Sequence, residues 1–181
     1  MKIPNSERLA FRLMDASDAD ELYELDQDPE VMRYVTKGEI TTREKLNEIM
    51  LPRMASYRDE QKGLGIWRVA TIDDNEFLGW VLARPMNFFN ENRNDRDIEL
   101  GWRFKRICWG KGYATEAAMQ VMTALQHTLD LDAFSAIAEP ENLASINIMK
   151  KLGMSYVKTD WIKDPLGDFH VAIYRRELSA D

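Results

Sequence analysis

The sequence predicts an α+β fold of about seven strands and about four helices. Three observations lead there. The apolar residues recur at helical spacing in the first 60 residues and again after Tyr113, and the stretch between them reads as strands. The first connection within that stretch, Asp73-Asp74-Asn75, is so short that it implies an antiparallel hairpin. No internal repeat, low-complexity tract or Pro/Gly linker divides the chain, so residues 1–181 are expected to form one domain.

The elements follow in order. Glu7–Leu13 alternates as a first strand, and Ser17 or Asp18 is the expected N-cap of a first helix whose acids crowd its first turn. Leu22, Leu25 and later Val31 give that region an apolar face, broken at Asp28-Pro29. A second helix is expected over Thr42–Asp59, capped by Thr41 or Thr42, with Leu46, Ile49, Met50 and Met54 inward and Pro52 either kinking it or ending its first half. Gly65–Ile72, Glu76–Pro85 and Asp97–Phe104 are strands, the last two separated by the polar segment Asn87–Asp95. Ala114, Ala118, Val121, Met122, Leu125 and Leu129 recur at helical spacing, which predicts a helix from Tyr113 to about Thr128. A strand at Ala133–Glu139, a helix over Asn142–Leu152 ended by Gly153, and strands at Met154–Asp160 and His170–Leu178 complete the chain.

Composition narrows the function. A chain of 181 residues with 45% hydrophobic and 30% charged residues belongs with globular proteins and can bury a core without covalent staples. The single cysteine, Cys108, excludes an intrachain disulfide and a cysteine-based zinc site, and the isolated His127 and His170 give no metal-ligand spacing. No apolar run reaches the roughly 20 residues of a membrane helix, and the opening residues carry no signal-peptide core, so the expected location is cytoplasmic. The net charge of -7, from 24 basic and 31 acidic residues, argues against broad nucleic-acid binding.

The stretch WGKGYATEA, Trp109 to Ala117, carries the chemistry. Two glycines bracket a lysine between a strand and a helix, which lets backbone amides approach an anion at the helix N-terminus. Lys105, Arg106 and Lys111 add positive charge around it. A G-x-x-x-x-G-K-[ST] phosphate loop fails, because Lys105 stands where its first glycine belongs and Gly112 follows Lys111. A G-x-G-x-x-G/A dinucleotide loop fails at Thr115. On this stretch alone a plain glycine turn with solvated lysines remains open.

Taken together, IELGWRFKRICWGKGYATEA and AEPENLASINIMKKLGM resemble the acetyl-CoA-binding core of the GNAT superfamily of N-acetyltransferases. The opening SERLAFRLMDASDADELYELDQDPEVMRY and the strand FLGWV are similar to its branch that acetylates protein N-termini, the ribosomal-protein alanine and serine acetyltransferases. The resemblance implies a GNAT-type mixed, mostly antiparallel twisted sheet of about seven strands flanked by about four helices, with a splay between the fourth and fifth strands, and acetyl-CoA as cosubstrate with no metal. It implies that Arg106, Ile107, Gly110, Lys111, Gly112, Tyr113 and Ala114 wrap the pyrophosphate of coenzyme A. Trp102, Arg103 and Phe104 would pair with the pantetheine arm as an added strand, and Asn142, Ser145 and Met149 would line it from the later helix. Ile107 departs from the Gln or Arg common at that position of the family. Asn142 also reads as an N-cap, and both roles can hold together.

Glu99 matches the family's strand carboxylate and is the candidate base, acting through water on an amine that is already partly neutral near pH 7. A strand glutamate of this kind can equally be paired to a neighbouring cation; Asp97 is the rival. A backbone N–H around Gly101 to Arg103 is the expected oxyanion donor. Met149 replaces the tyrosine acid of many relatives, which leaves Ser145, Tyr156, water or unaided thiolate departure. Cys108 reads as a packing residue. The branch resemblance points to a peptide N-terminal amine as acceptor, with a small-molecule amine as the alternative, and Phe88, Phe89 and Trp161, the last in an expected final loop over Asp160–Phe169, as candidate walls. A non-catalytic acyl-CoA-binding module is the competing class, and a monomer or a homodimer is expected.

Overall fold

The computed structural model describes residues 1–178. Seven strands form one sheet: β1 (Leu9–Leu13), β2 (Gly65–Thr71), β3 (Phe77–Met86), β4 (Asn94–Phe104), β5 (Ala133–Ala138), β6 (Ser155–Asp164) and β7 (Gly167–Glu177). Their order across the sheet is β1-β2-β3-β4-β5-β7-β6. Every neighbouring pair is antiparallel except β4 and β5, which run parallel. That exception follows from the crossover between them, because α5 (Tyr113–Gln126) carries the chain back to the starting end of β4.

Each face of the sheet carries its own core. On one face α5 and α6 (Leu143–Lys151) pack over Trp67, Val81, Ile98, Leu100 and Phe134. Ala117 and Ala118 let α5 lie close, and Val121, Met122 and Leu125 contribute roughly 1.5–3 kcal/mol each by burial. On the other face lie α1 (Ala19–Leu25), the single turn α2 (Pro29–Met32), and a rod over residues 43–57. The rod consists of α3 (Arg43–Lys45), a π-helical turn at Leu46–Met50, and α4 (Leu51–Tyr57). Thr42 caps it, its side chain accepting from the N–H of Lys45.

Three expectations need correction. Asp15, not Ser17 or Asp18, caps the first helical turn; its side chain accepts from the N–H of Ser17, while Asp18 reaches back to the N–H of Asp15. Ile49 is 38% exposed, whereas Leu46 and Met54 are buried. The wide turn, in which the N–H of Leu51 reaches the carbonyl of Leu46, precedes Pro52 and shifts the helical phase between them. Finally, Asp160–Phe169 is not a loop but the distal half of the β6–β7 hairpin, paired out to Asp164 and Gly167 around Pro165-Leu166. β6 is an edge strand exposed along most of its length, so it lacks the one-sided apolar alternation that announces a strand.

One glycine fixes how β3 meets β4. In β3 an extra residue bulges at Leu78-Gly79 opposite Val69, and Gly79 has φ +155°. A Cβ there would stand 2.3 Å from the carbonyl oxygen of Arg103 and 2.6 Å from Cα of Phe104. Gly79→Ala is therefore expected to destabilise the protein by about 3 kcal/mol or more in urea denaturation. A change below about 1 kcal/mol would show that the two strands can separate at this point without cost.

Candidate active site

The site is built where β4 and β5 part. They pair only at Asp97–Ala133, Ile98–Phe134 and Glu99–Ser135. Beyond Glu99, β4 continues to Phe104 with β3 on one side and no strand on the other. The N–H of Lys105 donates to the carbonyl of Leu78 at 2.8 Å, so by strand alternation the odd-numbered residues face β3 with their backbone groups. Leu100, Trp102 and Phe104 then turn theirs into the splay. The carbonyl of Phe104 is already occupied, accepting from Nε1 of Trp109 at 3.0 Å. The open stretch of strand edge is thus centred on Trp102.

A groove of about 450 Å³ runs from this edge to the glycine loop. Its floor is Trp102, Phe104, Gly110, Gly112 and Tyr113, and α6 forms its far wall. The loop turns its carbonyls elsewhere: that of Lys111 accepts from Arg8 and that of Gly112 from the N–H of Glu116. The N–H groups from Gly110 to Thr115 have no acceptor among the described residues. Gly110 (φ +73°) and Gly112 (φ +79°) make that arrangement possible, and the space beside Gly110 is open to 4 Å. This is a cradle of donors for an anion, with the α5 dipole behind it. Arg106, Ile107 and Lys111 lie outside the groove lining; Arg106 pairs with Asp28 at 3.0 Å and Ile107 is 72% exposed.

On α6, Asn142 caps the helix by accepting from the N–H of Ser145 at 3.2 Å, and both residues line the groove. Nε1 of Trp102 donates to Oγ of Ser145 at 3.3 Å across the splay. Met149 is 1% exposed in the core and does not line the groove. Asn147, Ile148 and Lys151 do. The inward stripe of α6 is Ile146, Met149 and Leu152, so the groove face lies a third of a turn from the one expected.

A second cavity of about 380 Å³ opens from the other side of the splay. It shares Tyr34, Val35, Trp102, Arg103, Asn142 and Ser145 with the groove, so the two meet beneath Trp102. Glu99 lines it, facing away from Ile98 and Leu100 as expected. Its carboxylate accepts from Nε of Arg84 at 2.9 Å and Nη2 at 3.2 Å, across the register pair Arg84–Glu99. Phe88 and Phe89 form a T-shaped cluster with Tyr57 and wall this cavity. Burial pushes the Tyr57 hydroxyl up to about 12.

Other candidates stand apart. Asp97 lies at the closed end of the parallel pairing, outside both cavities; burial raises its carboxyl, against a hydrogen bond from Ser135. Tyr156 is 56% exposed on β6, bonded to Thr159 and remote from both cavities. Cys108 is buried, and burial raises its thiol, which keeps it protonated and poorly nucleophilic. No group of three or more His, Cys, Asp or Glu converges as a metal site among the described residues. None of their helices is long and apolar enough to cross a membrane.

Residues 8–155 match the family model of the acetyltransferase (GNAT) domain, and the chain belongs to that family. The Bacillus subtilis protein YkkB, itself uncharacterized, is 31% identical over 178 residues, which cover 95% of this chain and 94% of that one. A GNAT-family acetyltransferase from Bacillus anthracis has the same fold at TM-score 0.73 and 25% identity, with 98% of each chain covered. RimL, a ribosomal L7/L12 alpha-N-protein acetyltransferase solved with coenzyme A, aligns over the whole of both chains at TM-score 0.75 and 17% identity. The protein is therefore an acetyl-CoA-dependent N-acetyltransferase.

Sequence reasoning missed what reaches the site from afar. Tyr34 and Val35, from the loop after α2, line both cavities, and nothing in their local pattern signals it. The tie between Glu116 and the segment just before β1 was equally hidden. Glu116 accepts from Ser6 at 2.7 Å and from Nε of Arg8 at 2.7 Å, and Arg8 in turn holds the Lys111 carbonyl away from the cradle. Burial works against the Glu116 charge, but those hydrogen bonds win and its carboxyl lies below the ordinary value of 4.5. A depressed carboxyl stabilises the fold only while it is ionised. Glu116→Gln is expected to cost about 1 kcal/mol near neutral pH. That difference should be complete above about pH 5 and vanish as the pH falls through the lowered value, as followed by thermal unfolding from pH 7 to 3. A difference that persists unchanged at pH 3 would contradict this account.

Proposed function

We propose that the protein transfers the acetyl group of acetyl-CoA to the primary amine of a protein or peptide N-terminus, by direct attack with both substrates bound. The observation that carries this reading is the meeting of the donor-rich groove and the Glu99 cavity beneath Trp102. Acetyl-CoA supplies an activated thioester. The amides of Gly110, Gly112, Tyr113 and Ala114 are fitted to its pyrophosphate, with Lys111 and Arg106 near the rim. The free edge of β4 at Trp102 to Phe104 is fitted to the pantetheine amides, as is the Asn142 side chain.

The remaining residues divide the proton work. A peptide α-amine has a pKa near 8, so a sizeable minority is neutral at pH 7. The amine nitrogen bonds to the acetyl carbon, the carbon–sulfur bond breaks, and its electron pair leaves on sulfur. Glu99 takes the surplus amine proton through a water. The backbone N–H of Trp102, unpaired in the splay, is placed to stabilise charge on the carbonyl oxygen, an effect worth roughly 3 kcal/mol. Ser145, whose Oγ accepts from the Trp102 indole, keeps its own proton free to donate to the departing thiolate. A peptide acceptor is supported by the opening segment of the sequence and by a cavity that continues outward past Val35 and Phe169.

Calorimetric titration is expected to show micromolar binding of acetyl-CoA and none of NAD or ATP. Glu99→Gln should then lower kcat about a hundredfold or more on a peptide acceptor, with acetyl-CoA affinity retained. A folded protein that does not bind acetyl-CoA would remove the assignment of the loop. A Glu99→Gln enzyme as fast as the wild type would leave Glu99 as a partner of Arg84 and nothing more.

A further inference from the structure

The acceptor cavity is lined by three carboxylates, and two of them are already neutralised. Glu99 is held by Arg84 at 2.9 Å and Asp164 by Arg53 at 2.8 Å. The third, Glu139, makes no ion pair among the described residues, although it is only partly exposed. Its backbone is fixed, because its carbonyl accepts from the N–H of Asn142 at 2.9 Å in the turn between β5 and α6. Glu139 is also placed differently from Glu99. It lines the acceptor cavity and, beyond it, a further cavity of about 670 Å³, with Val35 and Phe169 common to both.

The outer cavity has a particular chemistry. Its aromatic side is Trp161 and Phe169 from the β6–β7 hairpin, 64% and 39% exposed. Trp161 is backed by His170, its cross-strand partner, with ring centroids 5.1 Å apart. Around them stand the carboxylates of Glu39, Glu139, Glu141 and Asp168, against Lys37 and His170. Lys163, the cation of the acceptor cavity that makes no ion pair among the described residues, lies on exposed β6 opposite Asp168 in the hairpin register. An exposed indole beside excess negative charge favours an ammonium or guanidinium over a neutral or anionic group.

We infer that the acceptor carries a second positive charge a few bonds beyond its reacting amine, and that Glu139 receives it at the passage between the two cavities. Glu139 is a specificity-determining residue in this reading, and Trp161 is the surface along which the cationic side chain lies. The inference rests on the amine-transfer reading above and narrows it. The preferred peptide has lysine or arginine within its first few residues, a chemistry that a short diamine shares.

The test uses peptides identical except at their second and third residues, which are both lysine, both alanine or both glutamate. Steady-state kcat/KM is measured for each with the full chain. In parallel, calorimetry measures peptide binding to protein saturated with coenzyme A. The lysine peptide is expected to exceed the alanine peptide roughly fivefold, and the glutamate peptide to rank last. That ranking should flatten as ionic strength rises from about 0.05 to 0.5 M. Glu139→Gln should bring the lysine and alanine peptides together, and Glu139→Lys should invert the order. Equal kcat/KM across the three peptides overturns the inference, as does a Glu139→Gln enzyme slowed by one common factor with the ranking intact. Acetylation of a diamine but of no peptide keeps the second charge and moves the acceptor to small molecules. If lysine peptides bind in a Glu139-dependent way and no amine is ever acetylated, the transfer reading fails and the charge recognition stands.

Discussion

Three residue pairs join β4 to β5, and the rest of the molecule is arranged around the point where that pairing stops. Two parallel strands with a sheet on either side would ordinarily zip along their length, since each unpaired buried amide costs free energy. Here β5 turns after Ala138 toward α6 while β4 runs on to Phe104, and the wedge between them leaves backbone donors and acceptors without a strand. Such an edge is tolerable only if something else uses it. The groove opens on one side of it and the second cavity on the other, so in the proposed reaction a single interruption of hydrogen bonding would supply both the binding register and the meeting point of two substrates.

The two faces of the sheet are held by different forces. α5 and α6 lie on a dry core of alanine, valine, methionine and leucine, which gives the glycine loop a rigid base. α1 and α2 have only seven and four residues and could not hold their places by propensity. Ion pairs tie this side down: Arg12 with Asp18, Arg68 with Glu21, and Arg103 with Asp26 at 2.5 Å, whose other oxygen accepts from Thr41. Such pairs, each with at least one partner buried, add little net stability, but they are exacting in geometry. Arg103 and Arg106 hold Asp26 and Asp28, and so bring the segment that follows them, with Tyr34 and Val35, over the splay.

Charge is distributed to match this plan. The anion-binding side offers free amides as its main donors, because Lys105 and Arg106 are spent on Glu24 and Asp28, while Lys151 on the groove wall and Lys111 beside it make no ion pair among the described residues. The acceptor side alternates arginines with carboxylates until Glu139, where the alternation ends and the outer cavity becomes predominantly acidic. Part of the net charge of -7 is thus concentrated around the outer cavity, where the proposed cationic acceptor would enter.

Much of this was legible in the sequence, for identifiable reasons. The seven strands, the α5 helix, the glycine loop and the orientation of Glu99 away from Ile98 and Leu100 follow from period, turn chemistry and alternation, which are local properties of the chain. The Asn142 cap was legible for the same reason. The phase of α6 was not, because Met149 and Ser145 differ in burial only once the helix is set against β4. Nor was the π turn within the rod at residues 43–57, which moved Ile49 outward, or the distal half of the β6–β7 hairpin, whose exposed residues carry no alternating signal. The pairings Glu99–Arg84, Arg103–Asp26 and Glu116–Arg8 join residues 15, 77 and 108 positions apart. The sequence alone determined which residues could hold an anion or a proton. Which of them meet, and which carboxylate is left unpaired to face a substrate, was decided only by tertiary structure, because ion pairing depends on distance in space and side-chain pattern records only distance along the chain.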